Sequence, residues 1–116
     1  MTELIYHITS QAAWSAAQKP GAYSVSSLEG EGFIHCSKTL QILRVANAFY
    51  PGQYGLVILG IDLCRLEPEV RWEAGTDKPD ELFPHIYGPL NLDAVVRVLD
   101  FEPGPDGMFS LPKELI

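Results

Sequence analysis

The sequence is short of the residues that most recognisable chemistries require. It has two cysteines in 116 residues, Cys36 and Cys64. Two cysteines make no disulfide framework in a chain of this size, and they fit a reducing compartment. Eight Lys and Arg stand against fifteen Asp and Glu, a formal charge of -7. That balance argues against nucleic acid as a partner, because phosphate backbones are held by clustered cations. No apolar run approaches the roughly 20 residues that span a bilayer. The opening Met-Thr-Glu-Leu-Ile-Tyr-His has no basic stretch ahead of an apolar core, so no secretory leader and a cytoplasmic location are expected. Histidines number three, with no Cys-x-x-Cys, His-x-His or His-Glu-x-x-His spacing, so no metal is expected.

What remains is an ordinary globular composition, 47% hydrophobic and 20% charged, with length for one domain and a core that needs no staple. There is no internal repeat, low-complexity tract or linker. Leu4 to Ile8 reads as a strand, with Thr9 or Ser10 capping a short helix over Gln11 to Gln18 that Pro20-Gly21 stops. Residues 21–32 read as irregular, with a single turn opened by Ser26 or Ser27. The organising stretch is Gly-Phe-Ile-His-Cys-Ser at 32–37. Phe33 to His35 reads as a strand end and Ser37 as the N-cap of a helix over Lys38 to Tyr50. Leu40, Leu43, Ala46, Asn47 and Tyr50 would share one face of that helix. A capped helix start after a strand leaves N–H groups free for an anion, with His35 at its lip.

Tyr54 to Asp62 is the most apolar segment and reads as a central strand buried on both faces. Leu63 to Pro68 reads as a turn, and Glu69 to Glu73 alternates as a half-buried strand does. Residues 74–81 read as an exposed loop in which Asp77, Asp80 and Glu81 are solvated charges. Phe83 to Leu90 contains two prolines and a glycine, which argues for an ordered loop or edge segment, not an inner strand. Residues 92–101 read as a last core strand, 103–107 as a turn, and 109–116 as a tail able to dock. The sum is an α+β domain with a mixed or antiparallel sheet core and two short helices.

His7, His35 and His85 all fall at strand ends or in the aromatic loop, none on a polar helix face. Three imidazoles so placed are expected to meet in one cleft, where each offers a donor and an acceptor near neutral pH. The plain alternative for each is a buried hydrogen bond. Glu73, at the end of an alternating strand, is the carboxylate placed to bind a ribose hydroxyl or act as a base, or simply to sit in solvent. Cys36 adjoins His35, but neighbouring strand residues point to opposite faces. A small buried residue is therefore expected there, not a nucleophile.

The set Ile-Tyr-His-Ile-Thr (5–9), Trp14, Gly-Phe-Ile-His-Cys-Ser (32–37), Gln41 and Phe-Pro-His-Ile-Tyr-Gly-Pro-Leu (83–90) resembles a family of small bacterial and plant proteins, the domain of unknown function 952. The resemblance runs from about residue 4 to residue 100. That family is grouped with ADP-ribosyltransferase-like folds, which implies NAD as a substrate. By that resemblance His7 would contact the ribose or nicotinamide side. His35 and Ser37 would flank nicotinamide or phosphates, and the third motif position would fall on Glu73 or His85. The candidate catalytic residues are thus His7, His35, Glu73 and His85. The candidate binding residues are Tyr6, Thr9, Trp14, Phe33, Ser37, Gln41 and Tyr87. The expected partner is a small anionic ligand, bound by a monomer or weak oligomer. The competing expectation is a nucleotide-binding or small-anion-binding module without catalysis.

Overall fold

A computed structural model describes residues 3–75 and 78–115; the expected loop charge Asp77 lies outside them. β1 (Leu4–Ser10) sends Ile5 into one apolar cluster and Tyr6 and Ile8 into another, one on each face. The Ser10 hydroxyl then accepts from the Ala13 N–H at 3.0 Å and starts α1 (Gln11–Ala17). β2 (Ala22–Tyr23), the single turn α2 (Ser26–Gly30) and β3 (Ile34–His35) follow. β3 leads into the longest helix, α3 (Thr39–Phe49). β4 (Leu56–Asp62) is buried along its whole length, as its apolar run requires. β5 (Glu69–Ala74), β6 (Leu82–Tyr87), β7 (Leu90–Asn91) and β8 (Val95–Phe101) complete the set. The class is α+β; among the described residues there are three α-helices instead of two, and every strand pair is antiparallel. The radius of gyration, 13.5 Å, matches the about 13 Å of one domain of this length.

Two three-stranded sheets, β1-β4-β8 and β3-β6-β5, carry the architecture. Residues 34–37 stitch them together. Ile34 and His35 pair with Ile86 and His85 of β6, and the Cys36 N–H donates to the Pro84 carbonyl at 3.1 Å. Ser37 then crosses to β1, exchanging both backbone bonds with Tyr6 at 2.7 and 2.8 Å. Past this bridge β1 and β3 diverge.

Five expectations change. Ser37 is not the helix cap, because the bridge to Tyr6 holds it extended; Lys38 occupies that position, and its N–H donates to Gln41 Oε1 at 2.9 Å. Of the expected α3 face, Leu43, Ala46, Asn47 and Tyr50 do pack inward, joined by Gln41 and Ile42, but Leu40 in the first turn is 93% exposed. Phe83 to Tyr87 lies in the middle strand of its sheet despite Pro84. Only one of the two possible bonds between Cys36 and Pro84 is made, at the rung where the chain leaves for β1, so the missing proline N–H falls where the ladder ends. β8 is an edge strand with exposed Val96 and Val98, not a core strand, and Leu92–Ala94 is a 3-10 turn ahead of it. Glu81 is not a free loop charge either: Arg44 and Gln41 bind its Oε2 at 2.6 and 2.8 Å, tying α3 to the approach of β6. The tail docks as expected, with Phe109 stacked on Phe101 at 4.5 Å.

Gly60 in β4 stands where the backbone leaves no room for a side chain. A Cβ there would lie 2.9 Å from Arg97 Cβ, with the Tyr6 ring at 3.5 Å. Gly60→Val is expected to destabilise by about 1–3 kcal/mol, read as a lower urea midpoint at unchanged m-value.

Candidate functional site

The divergence of β1 from β3 leaves a cleft of about 570 Å³, within the range of small-molecule sites. All three imidazoles line it, together with Tyr6, Thr9 and Ser37. Ile42, Val45 and Phe49 of α3 supply an apolar wall. The first turn of α3 faces elsewhere, toward a shallower depression with Lys38 and Arg97. The expected anion site at a helix start is therefore not part of this cleft. No Lys, Arg, Asp or Glu lines it among the described residues.

His7 explains why the strands part. If the antiparallel ladder continued beyond the Tyr6–Ser37 rung, the His35 carbonyl would accept from the Ile8 N–H. It accepts instead from His7 Nδ1, at 2.6 Å. Ile8 N–H and C=O, two residues on from Tyr6 and aimed at the same edge, are left beside the cleft. A carbonyl only accepts, so Nδ1 carries the proton. Tyr23 Oη lies 2.8 Å from His7 Nε2 and 2.7 Å from Thr9 Oγ1. In the neutral ring Nε2 accepts from the Tyr23 hydroxyl, and Thr9 donates to Tyr23. Burial lowers the His7 pKa from 6.5 to about 4 and raises that of Tyr23 to about 12. His7 and Thr9 thus stand at the cleft with their polar atoms committed to the fold.

His85 is held differently. β6 and β5 place it across from Arg71, one rung from Glu73, and Nδ1–H donates to Glu73 Oε1 at 2.9 Å. The Tyr87 hydroxyl donates to the same oxygen at 2.5 Å. These two bonds, Tyr87's the larger, hold the Glu73 carboxyl below its ordinary value, so it is ionised at neutral pH. Nε2 of His85 has no hydrogen-bond partner among the described residues. Phe33 stacks on the ring at 4.0 Å and 12°. Arg71, gripped by Glu69, lies 4.2 Å over the Tyr87 ring. His35 is half-exposed beside His85, with Nε2 2.9 Å from Glu31 Oε1.

Of the expected residues, Glu73, Phe33 and Tyr87 therefore surround His85 on one sheet face without lining the cleft themselves. Trp14 packs at the core against Tyr23, 6.4 Å between rings. Gln41 lies beneath α3, bonded to Glu81 and the Leu82 carbonyl. Neither reaches the cleft. Cys36 is buried, and burial pushes its thiol pKa up, which removes it as a nucleophile. The sequence reading did not single out Glu31 or the Ile8 peptide. Glu31 had a faint signal, a carboxylate four residues before His35; a freed backbone amide has none.

The sequence profile of the family described as protein of unknown function (DUF952) matches residues 8–98. The chain belongs to this family. It is similar to the crystal structure of protein CC0527 from Caulobacter crescentus, at 34% identity over 97% of both chains and a TM-score of 0.85. It is similar also to the solution structure of CC0527, at 35% identity over 90% of both chains and a TM-score of 0.77. No match is found among curated proteins. The DUF952 fold is thus a compact α+β domain with antiparallel sheets.

The depressed His7 pKa fixes a sign. The fold favours the neutral ring, so its contribution is whole above pH 6.5 and is lost as pH falls toward about 4, because the unfolded chain takes the proton first. Glu69, Glu73 and Glu81 are held below their ordinary 4.5 and contribute losses only beneath it. Between pH 6.5 and 4.5 the urea-derived stability is expected to drop by about 2–3 kcal/mol on account of His7, and His7→Asn is expected to flatten that slope.

Proposed function

We propose that this DUF952 protein binds an NAD-type nucleotide in the cleft between β1 and β3, as an ADP-ribosyltransferase-like protein would, with His85 directed at the ribose. The observation that carries this reading is an unzipped strand edge opening beside a carboxylate-held imidazole. The Ile8 peptide offers one N–H and one C=O side by side, the complement of a primary carboxamide such as that of nicotinamide. The α3 wall suits a flat ring. His85 Nε2 is an acceptor for a hydroxyl proton, and Glu73 stabilises the imidazolium that results. His7 acts as a positioning residue that keeps the strand edge open. The cleft lining has no cation, so the phosphates stay at its solvent-facing mouth.

Cleavage of the nicotinamide–ribose bond would pass through an oxocarbenium-like centre and needs the two halves held in a fixed pose. A second reading, binding without turnover, is favoured by Glu73 itself: its carboxylate is turned to His85, and none lines the cleft. Calorimetry with NAD and ADP-ribose, run beside an assay for released nicotinamide, separates the two. Saturable NAD binding that weakens at least tenfold in His85→Ala is expected. In the catalytic reading Glu73→Gln retains binding and slows nicotinamide release by about 10²-fold. Binding with no release selects the binding module. Silence toward both nucleotides overturns both.

A further inference from the structure

We propose that His35 and His85 together form a two-imidazole site for a borderline divalent transition ion, Zn²⁺, Ni²⁺ or Cu²⁺, at the edge of the cleft. The two residues are direct cross-strand partners in the β3–β6 ladder, and their ring centroids are 5.4 Å apart. With metal–nitrogen bonds of about 2.0–2.1 Å, two imidazoles on one tetrahedral ion have centroids about 5 Å apart.

Each ring has one nitrogen bonded to a carboxylate, His35 Nε2 to Glu31 and His85 Nδ1 to Glu73, both at 2.9 Å. A carboxylate on the outer nitrogen is the arrangement that fixes the tautomer and raises the basicity of metal-bound histidine. It leaves His35 Nδ1 and His85 Nε2 without hydrogen-bond partners among the described residues. Phe33 packs against both rings, at 4.8 and 4.0 Å, and restrains their orientation.

No third His, Cys, Asp or Glu joins them among the described residues, so the other coordination positions go to water or a ligand. Imidazole donors without a direct carboxylate oxygen select a borderline ion over Ca²⁺ or Mg²⁺. The ion would occupy the His85 Nε2 lone pair that the nucleotide reading assigns to a hydroxyl proton, so the two uses of this nitrogen exclude one another; on the bound ion an anionic oxygen could displace water. The sequence had no ligand spacing to show because the two residues lie on separate strands.

The test is calorimetric titration of Zn²⁺ and Ni²⁺ into tag-free protein carrying Cys64→Ser, which removes the exposed thiol as a rival ligand. No nucleotide is present, so failure here leaves the nucleotide reading standing, and the reverse. One equivalent binding below millimolar concentration is expected. Affinity should fall at least tenfold in His35→Ala, whose half-exposed site tolerates truncation, and about 10-fold to 100-fold in Glu31→Gln. Histidine ring NMR shifts at His35 and His85 on adding Zn²⁺ provide a readout that requires no variant to fold. No binding, or binding unchanged in His35→Ala, overturns the proposal.

Discussion

One hydrogen bond, from the His7 imidazole to the His35 carbonyl, stands where the β1–β3 pairing stops. It takes the carbonyl that the next rung beyond the Tyr6–Ser37 bridge would use. The bond is short and part-buried, and the far side of the buried His7 ring is secured by Tyr23 and Thr9. The cost is a neutral histidine that cannot charge in place. The return is a peptide edge at Ile8 and a cleft between two sheets that remain joined at one point.

The site divides into two kinds of histidine. His7 spends both nitrogens on the scaffold. His35 and His85 each spend one nitrogen on a carboxylate and keep the other. In a chain with net charge -7, the acidic groups nearest the cleft are turned away from it, toward the backs of these rings. Among the described residues the cleft lining is left without a Lys, Arg, Asp or Glu side chain.

Several parts of this arrangement were legible in the chain. The apolar runs at Leu4 to Ile8 and Tyr54 to Asp62 marked strands, the second a central one, because burial on both faces demands uninterrupted apolar sequence. Thr9-Ser10 marked a helix start because a hydroxyl there can satisfy a free N–H, and the structure gives that role to Ser10. Ser37 carried the same local signal and misled, since a long-range backbone exchange with Tyr6 outweighed it. Pro84 misled for a related reason: a proline is tolerated in a middle strand when its silent edge meets the end of a ladder, and where a ladder ends is not a local property.

By itself the sequence determined an α+β class, family membership through the motifs around His7, His35 and His85, and the gathering of those three residues by strands that end near one another. The tertiary structure alone decided their separate roles. Register puts His35 opposite His85 and brings Glu73 within 2.9 Å of the latter, while the His35 carbonyl claims His7. Strand composition fixes which residues are buried, but the partner across a ladder is set by pairing between segments distant in the chain, and hydrogen bonds follow the partner.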